Sequence, residues 1–165
     1  MAAQLNYNYS TPKGVPGGKF DIAFDEVVTR NNENEDGVMK YGMAVATGTK
    51  AGVTVKVPTA ETTKEQIEGI AIALPNTEQD MKGNVIVKKN RSLSIMKKGN
   101  IWGRIAADVT PVCGATAYVI PEGDEAGMFT TAADNGKTST EKVDYLDIGA
   151  KFGKASDDGI AVIVL

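Results

Sequence analysis

The chain has 165 residues, the size of one domain, and is long enough to bury roughly 70% of the surface that its unfolded form exposes. Hydrophobic residues make up 42% and charged residues 24%, an ordinary globular composition that excludes wholesale disorder. Histidine is absent, so the commonest general base near neutral pH and the commonest metal ligand are both missing. We therefore expect a protein that is not an enzyme and that holds no cofactor or metal.

Residues 1–19 are predicted to form an extended N-terminal arm. Between residues 6 and 18 stand two prolines and three glycines, which forbid a helix and discourage a central strand. Aromatic rings on such an arm are costly to leave in water, so we expect it to bind a partner. The candidate anchoring residues are Tyr7, Tyr9, Pro12 and Pro16. The alternative is that the arm folds back over its own domain.

Residues 20–165 show alternating apolar side chains, the pattern of strands with one buried face. In chain order the runs are Phe20/Ile22/Phe24, Val53/Val55/Val57, Ile70/Ile72/Leu74, Val85/Val87, Leu93/Ile95, Ile101/Ile105, Ala117/Val119, Leu146/Ile148 and Ile160/Val162/Val164. Glycine, proline and acidic turn residues separate them. We predict an all-β fold, a single compact β-barrel or β-sandwich of short antiparallel strands. The best helix candidate, a capping box from Thr62 to Glu65, is limited by Gly69 to about one turn.

A membrane or export signal is not evident, because the first residues carry no basic leader and no apolar run reaches the length of a bilayer span. Cys113 is the single cysteine, so an intramolecular disulfide is excluded. These features predict a soluble protein with no membrane partner.

One stretch of the chain is strongly basic, since no acidic residue occurs between Asp80 and Asp108. Its candidate docking edge comprises Lys88, Lys89, Arg91, Lys97 and Lys98. The sequence pI near 5.1 favours docking to an acidic protein surface over nucleic acid. Two alternatives stay open: an OB-like single-stranded nucleic-acid-binding protein that stacks bases on Trp102, and a solvated lysine-rich edge that prevents strand-to-strand aggregation.

The order of segments in the second half resembles the tailed-phage head decoration or structural cement proteins. The segments that carry this likeness are 101–105, 109–119, 127–130, 148–152 and 159–165, together with the opening arm segment 9–18. Where that family usually has a tight Gly-Asp or Gly-Glu step before a Tyr-Val strand, this chain has Cys113-Gly114-Ala115-Thr116.

The resemblance implies a non-enzymatic virion protein that is made in the host cytoplasm and binds the exterior of a mature capsid. Its partner would be the major capsid protein. The resemblance also implies a homo-oligomer, with a trimer favoured. An oligomer that engages several coat subunits raises its effective affinity by roughly 10²–10⁴ without new kinds of contact.

Overall fold

A computed structural model describes residues 14–74, 78–79, 81, 83, 85–107, 109–137, 142–155 and 159–165. Within these ranges the chain forms twelve β-strands and a single-turn 3₁₀ helix, Lys64–Gln66, and no α-helix. The strands are β1 Glu26–Asn32, β2 Ala44–Thr47, β3 Thr54–Lys56, β4 Ile67–Ala71, β5 Glu78–Gln79, β6 Val85–Ile86, β7 Ser92–Lys98, β8 Asn100–Arg104, β9 Thr116–Val119, β10 Phe129–Thr130, β11 Leu146–Ala155 and β12 Ile160–Val164. The prediction of an all-β fold is confirmed.

Five strands close into a barrel in the order β1-β3-β2-β4-β7, and β7 pairs with β1 to complete it. The β1–β3 pair is parallel and the other pairs are antiparallel. One hydrophobic cluster takes a residue from each barrel strand, namely Val28, Val45, Val55, Ala71 and Ile95. Because side chains alternate between the faces of a strand, these residues fill the interior of the barrel.

A second sheet, in the order β10-β9-β11-β12-β8, packs against one wall of the barrel. The core between them joins Ile70 and Met96 of the barrel to Phe129, Phe152 and Ile163 of the sheet. This contact explains why the strands of that wall are apolar at successive positions, since both of their faces are buried. The turn at Gly99 between β7 and β8 connects the two layers, and β5 and β6 form a separate two-stranded pair.

The predicted strand at Phe20–Phe24 is wrong. No strand forms there, and Ile22 and Phe24 are almost fully exposed, with relative accessibilities of 104% and 85%. The reason is local: the carboxylate of Asp21 accepts a hydrogen bond from the backbone N–H of Ala23 at 3.1 Å, which turns the chain out of an extended path. At Ile22 and Phe24 the alternating pattern therefore corresponds to exposed apolar side chains and not to the buried face of a strand.

The predicted capping box lies one residue later than expected. Gln66 Oε1 accepts a hydrogen bond from the backbone N–H of Thr63 at 2.9 Å. The Thr62 hydroxyl instead accepts one from the backbone N–H of Thr59 at 2.8 Å. The helix is a single turn, as Gly69 predicted, because the chain enters β4 at Ile67.

Candidate functional site

Residues 14–19, the end of the predicted arm, and the following Phe20 lie along β8 like an additional antiparallel strand. The backbone N–H of Gly17 donates to the carbonyl of Trp102 at 2.7 Å, and the N–H of Trp102 donates to the carbonyl of Gly18 at 2.9 Å. On the other side, the N–H of Ala73 donates to the carbonyl of Gly17 at 2.8 Å. We call residues 14–20 the arm root, because hydrogen bonds on both sides hold them to the body.

The arm root covers the indole ring of Trp102. A Cβ atom added to Gly14 would lie 2.1 Å from Trp102 Cε2, so only glycine fits against the ring at this distance. Phe20 packs edge-on against the indole, with ring centroids 5.7 Å apart. Trp102 is consequently only 4% exposed and offers no open face on which a nucleic-acid base could stack.

The four predicted anchoring residues fall in two places. Tyr7, Tyr9 and Pro12 lie outside the described residues. Pro16 belongs to the arm root, where it is half-buried and its backbone packs against Gly42. The arm root therefore ties whatever precedes it in the chain to β8.

The five cations of the predicted docking edge lie at the two ends of β7. Lys88, Lys89 and Arg91 occupy the turn before the strand, and Lys97 and Lys98 form its last two residues. At about 3.3 Å per residue, the length of β7 separates the groups by roughly 20 Å. β7 pairs with β1 on one side and β4 on the other, so its lysines do not protect an open sheet edge.

Carboxylates neutralise the first group. Lys88 and Arg91 both pair with Glu78, the latter at 3.1 Å from Nη1 to Oε1, and Lys89 pairs with Glu35. The hydrogen bond that Lys88 donates to Glu78 raises the pKa of Lys88 and lowers the pKa of Glu78. The hydrogen bond that Lys89 donates to Glu35 raises the pKa of Lys89. The carboxylate of Asp36, which accepts a hydrogen bond from the backbone N–H of Lys89 at 2.8 Å, adds a third negative charge beside the three cations. This turn is therefore basic in sequence but balanced in charge.

A buried asparagine fixes the shape of that turn. Asn32 is fully buried, and its side-chain amide donates to the carbonyl of Lys88 at 3.0 Å. Its side-chain oxygen accepts from the backbone N–H of Asn34 at 3.0 Å, and its own carbonyl accepts from the N–H of Asn90 at 2.7 Å. The turn is therefore held by contacts with β1 that the basic motif itself does not reveal.

The second group is free of such partners. Lys97 and Lys98 are exposed, and within the described part of the chain neither makes an ion pair. Lys98 lies opposite Glu26 of β1 in the strand register, but the two side chains do not come within ion-pair distance. Of the predicted cations, these two have the most charge available for a partner.

Other features of the described surface offer no catalytic arrangement. The described residues contain no cluster of metal-ligating side chains, and no described helix is long and apolar enough to cross a membrane. A cavity of about 670 Å³ is lined by Lys40, Tyr41 and Arg104, among others. Arg104 Nε donates to the carbonyl of Tyr41 at 2.9 Å, and burial lowers the pKa of Arg104 and raises that of Tyr41. Nothing there forms a nucleophile with an adjacent base.

Comparison with known proteins supports a structural role. A family model described as "Structural cement protein (E217 gp24/Pam3 gp6)" matches residues 3–165. A solved structure described as "The capsid of Myoviridae Phage XM1" contains a chain of similar fold, with a TM-score of 0.70 and 16% sequence identity. The similarity covers 99% of this chain and 97% of that one. A search of curated proteins finds no match.

Proposed function

This chain belongs to the structural cement protein family, which is non-enzymatic, and from that premise we propose that it binds the outer surface of a phage capsid and stabilises the shell as a head decoration protein. That it is a structural protein of the phage capsid, and so a component of the virion, follows from the family. The partner in this proposal is the major capsid protein. The family resemblance identified in the sequence is confirmed.

The observation that carries the proposal is the arm root. The N–H of Gly17 donates to the carbonyl of Trp102, and the carbonyl of Gly18 accepts from the N–H of Trp102, which places the arm root against β8, a strand of the second sheet. Residues 1–13 are thereby anchored to a sheet rather than to a flexible loop. Fully extended, 13 residues span at most roughly 45 Å, enough to reach a neighbouring subunit. We assign Tyr7, Tyr9 and Pro12 to the coat contact and Pro16 to the root.

The polar part of the contact is assigned to the predicted docking edge. Lys97 and Lys98 have charge to offer a coat surface, whereas Lys88 and Lys89 are already paired. We propose that the chain assembles as an oligomer, with a trimer favoured by the resemblance. Each subunit then needs only a modest interface, because simultaneous contacts multiply the effective affinity.

Deleting residues 1–13 tests the arm, because the deletion leaves the arm root in place. Full-length and shortened chains are added to purified heads that lack this protein, and the bound copies per coat subunit are counted by quantitative mass spectrometry. We expect the shortened chain to keep its melting temperature and its Trp102 fluorescence but to bind at least tenfold more weakly. A shortened chain that binds with full affinity would refute the role of the arm.

The outer location has its own test. Brief lysine biotinylation of intact particles, read out by mass spectrometry, should label this chain before the particles are opened. Labelling of Lys97 and Lys98 is expected to be lower on particles than in the free protein, because the coat covers them. If the chain is labelled only after the particles are opened, it lies inside the shell.

A further inference from the structure

The segment before β1 displays two large apolar side chains to solvent. Ile22 and Phe24 have relative accessibilities of 104% and 85%, and the adjacent Val27, at the start of β1, is 39% exposed. Exposed apolar side chains that stand together in this way mark interaction sites more often than chance surface positions do. The sequence pattern had placed the first two on a buried face.

Polar contacts fix the position of the segment that carries these exposed side chains. Asp21 accepts a hydrogen bond from the side chain of Asn100 at 2.7 Å and another from the backbone N–H of Ala23 at 3.1 Å. Lys19, in the arm root, pairs with Asp25. Asn100 is the first residue after the turn between β7 and β8, so the segment is fixed to that turn.

The end of β7 at this turn carries Lys97 and Lys98, which make no ion pair within the described residues. Val27 lies opposite Met96 and Glu26 lies opposite Lys98 in the β1–β7 register, which brings the segment that carries the apolar side chains to the end of β7. We call Ile22, Phe24, Val27, Lys97 and Lys98 the β7–β8 turn surface. It combines an apolar centre with a cationic border.

We infer that the β7–β8 turn surface docks on the coat protein, at an apolar pocket bordered by carboxylates, with Phe24 and Ile22 as its anchors. This inference rests on the proposed function and names the chemistry of its contact. Aromatic anchors in desolvated pockets contribute most of the binding energy in many interfaces, and charges at the border add specificity and a faster association.

A second copy of this chain fits the surface less well. The exposed area of the three apolar side chains is on the order of 400 Å², about half of the roughly 800 Å² per partner that a standard interface buries. A two-fold contact between copies, unlike the head-to-tail contact of a trimer, would also place Lys97 and Lys98 against their own equivalents, which repel. A coat subunit can supply the missing area, because the arm is rooted on the neighbouring β8 and can engage the same partner.

The test compares the full-length double variant I22S/F24S with the wild type in binding to heads that lack this protein. Val53→Ser is the matched control. Val53 is 50% exposed, and its carbonyl is hydrogen bonded to Asn31, which lies opposite Ser92 at the other end of β7. We expect I22S/F24S to lower the head affinity at least tenfold, with an unchanged melting temperature and sedimentation coefficient, and V53S to bind like the wild type.

Each of the other outcomes contradicts either this inference or the proposed function. If I22S/F24S binds like the wild type, the β7–β8 turn surface is not the coat contact, while the proposed function stands on the binding of the wild type. If I22S/F24S changes the sedimentation coefficient, this surface joins copies of this chain and the inference is wrong. If neither the wild type nor V53S binds heads, it is the proposed function that fails.

Discussion

Replacing Gly17 with alanine tests whether backbone geometry holds the arm root in place. Gly17 has a φ of +80°, and a Cβ atom there would lie 2.7 Å from the nitrogen of Ala73 and 2.8 Å from the carbonyl oxygen of Ala71. Both neighbours are backbone atoms, so no side-chain rotation relieves the clash. The arm root has to leave its position along β8.

The size of the effect follows from the contacts that are lost. Gly17 and Gly18 make two hydrogen bonds with the backbone of Trp102, and Gly17 makes a third with Ala73. At about 1 kcal/mol each, their loss lowers the free energy of unfolding by about 3 kcal/mol. Gly52 is the matched control, since its φ is +73° and nothing lies within 4 Å of an added Cβ. Alanine at Gly52 costs only the left-handed backbone conformation, about 1 kcal/mol.

The assay uses Trp102, the single tryptophan of the chain. Urea unfolding, monitored by the fluorescence of Trp102, measures the free energy of unfolding of both variants. The emission of the native state reports whether the ring is still covered by Gly14. We expect a red-shifted native emission for G17A and a wild-type emission for G52A. If G17A loses no more stability than G52A and keeps the wild-type emission, the arm root is not held in the way described.

Two further predictions concern the basic block. The double variant K97E/K98E should bind heads about tenfold more weakly, a change of about 1.4 kcal/mol, and its binding should depend less on salt. K88E/K89E should have the smaller effect, because those lysines already pair with carboxylates. Equal effects of the two variants in a salt titration would count against this distinction. Asn32→Ala should lower the free energy of unfolding by about 2–3 kcal/mol, because the hydrogen bonds between the buried Asn32 side chain and the backbone of Lys88 and Asn34 are lost. A loss under about 0.5 kcal/mol in urea unfolding would contradict this prediction.

Local properties of the chain were predictable from the sequence. Alternation at Val55/Val57, Leu93/Ile95 and Ala117/Val119 marks side chains that are buried in the structure. Strand geometry repeats every two residues, so this signal needs no knowledge of partners. The resemblance to cement proteins rests on the order of such segments and on scaffold residues.

The β7–β8 turn surface could be found only in the tertiary structure. Ile22 and Phe24 follow the same alternation as the buried strands, but no strand or sheet among the described residues covers them. Alternation shows that one face of a segment is apolar, and only packing decides whether another layer lies against that face. The same limit applies to Trp102, whose ring is covered by Gly14, a residue 88 positions earlier in the chain.

Within the sequence itself, the local geometry of the strands and the order of the scaffold segments determined an all-β protein of the structural cement family, which is non-enzymatic. Only the tertiary structure decided which cations are available, because Lys89 meets Glu35 across 54 positions of the chain while Lys97 and Lys98 meet no carboxylate in the described ranges. The physical reason is that a charge is neutralised by neighbours in space, and the closing of β7 onto β1 determines those neighbours.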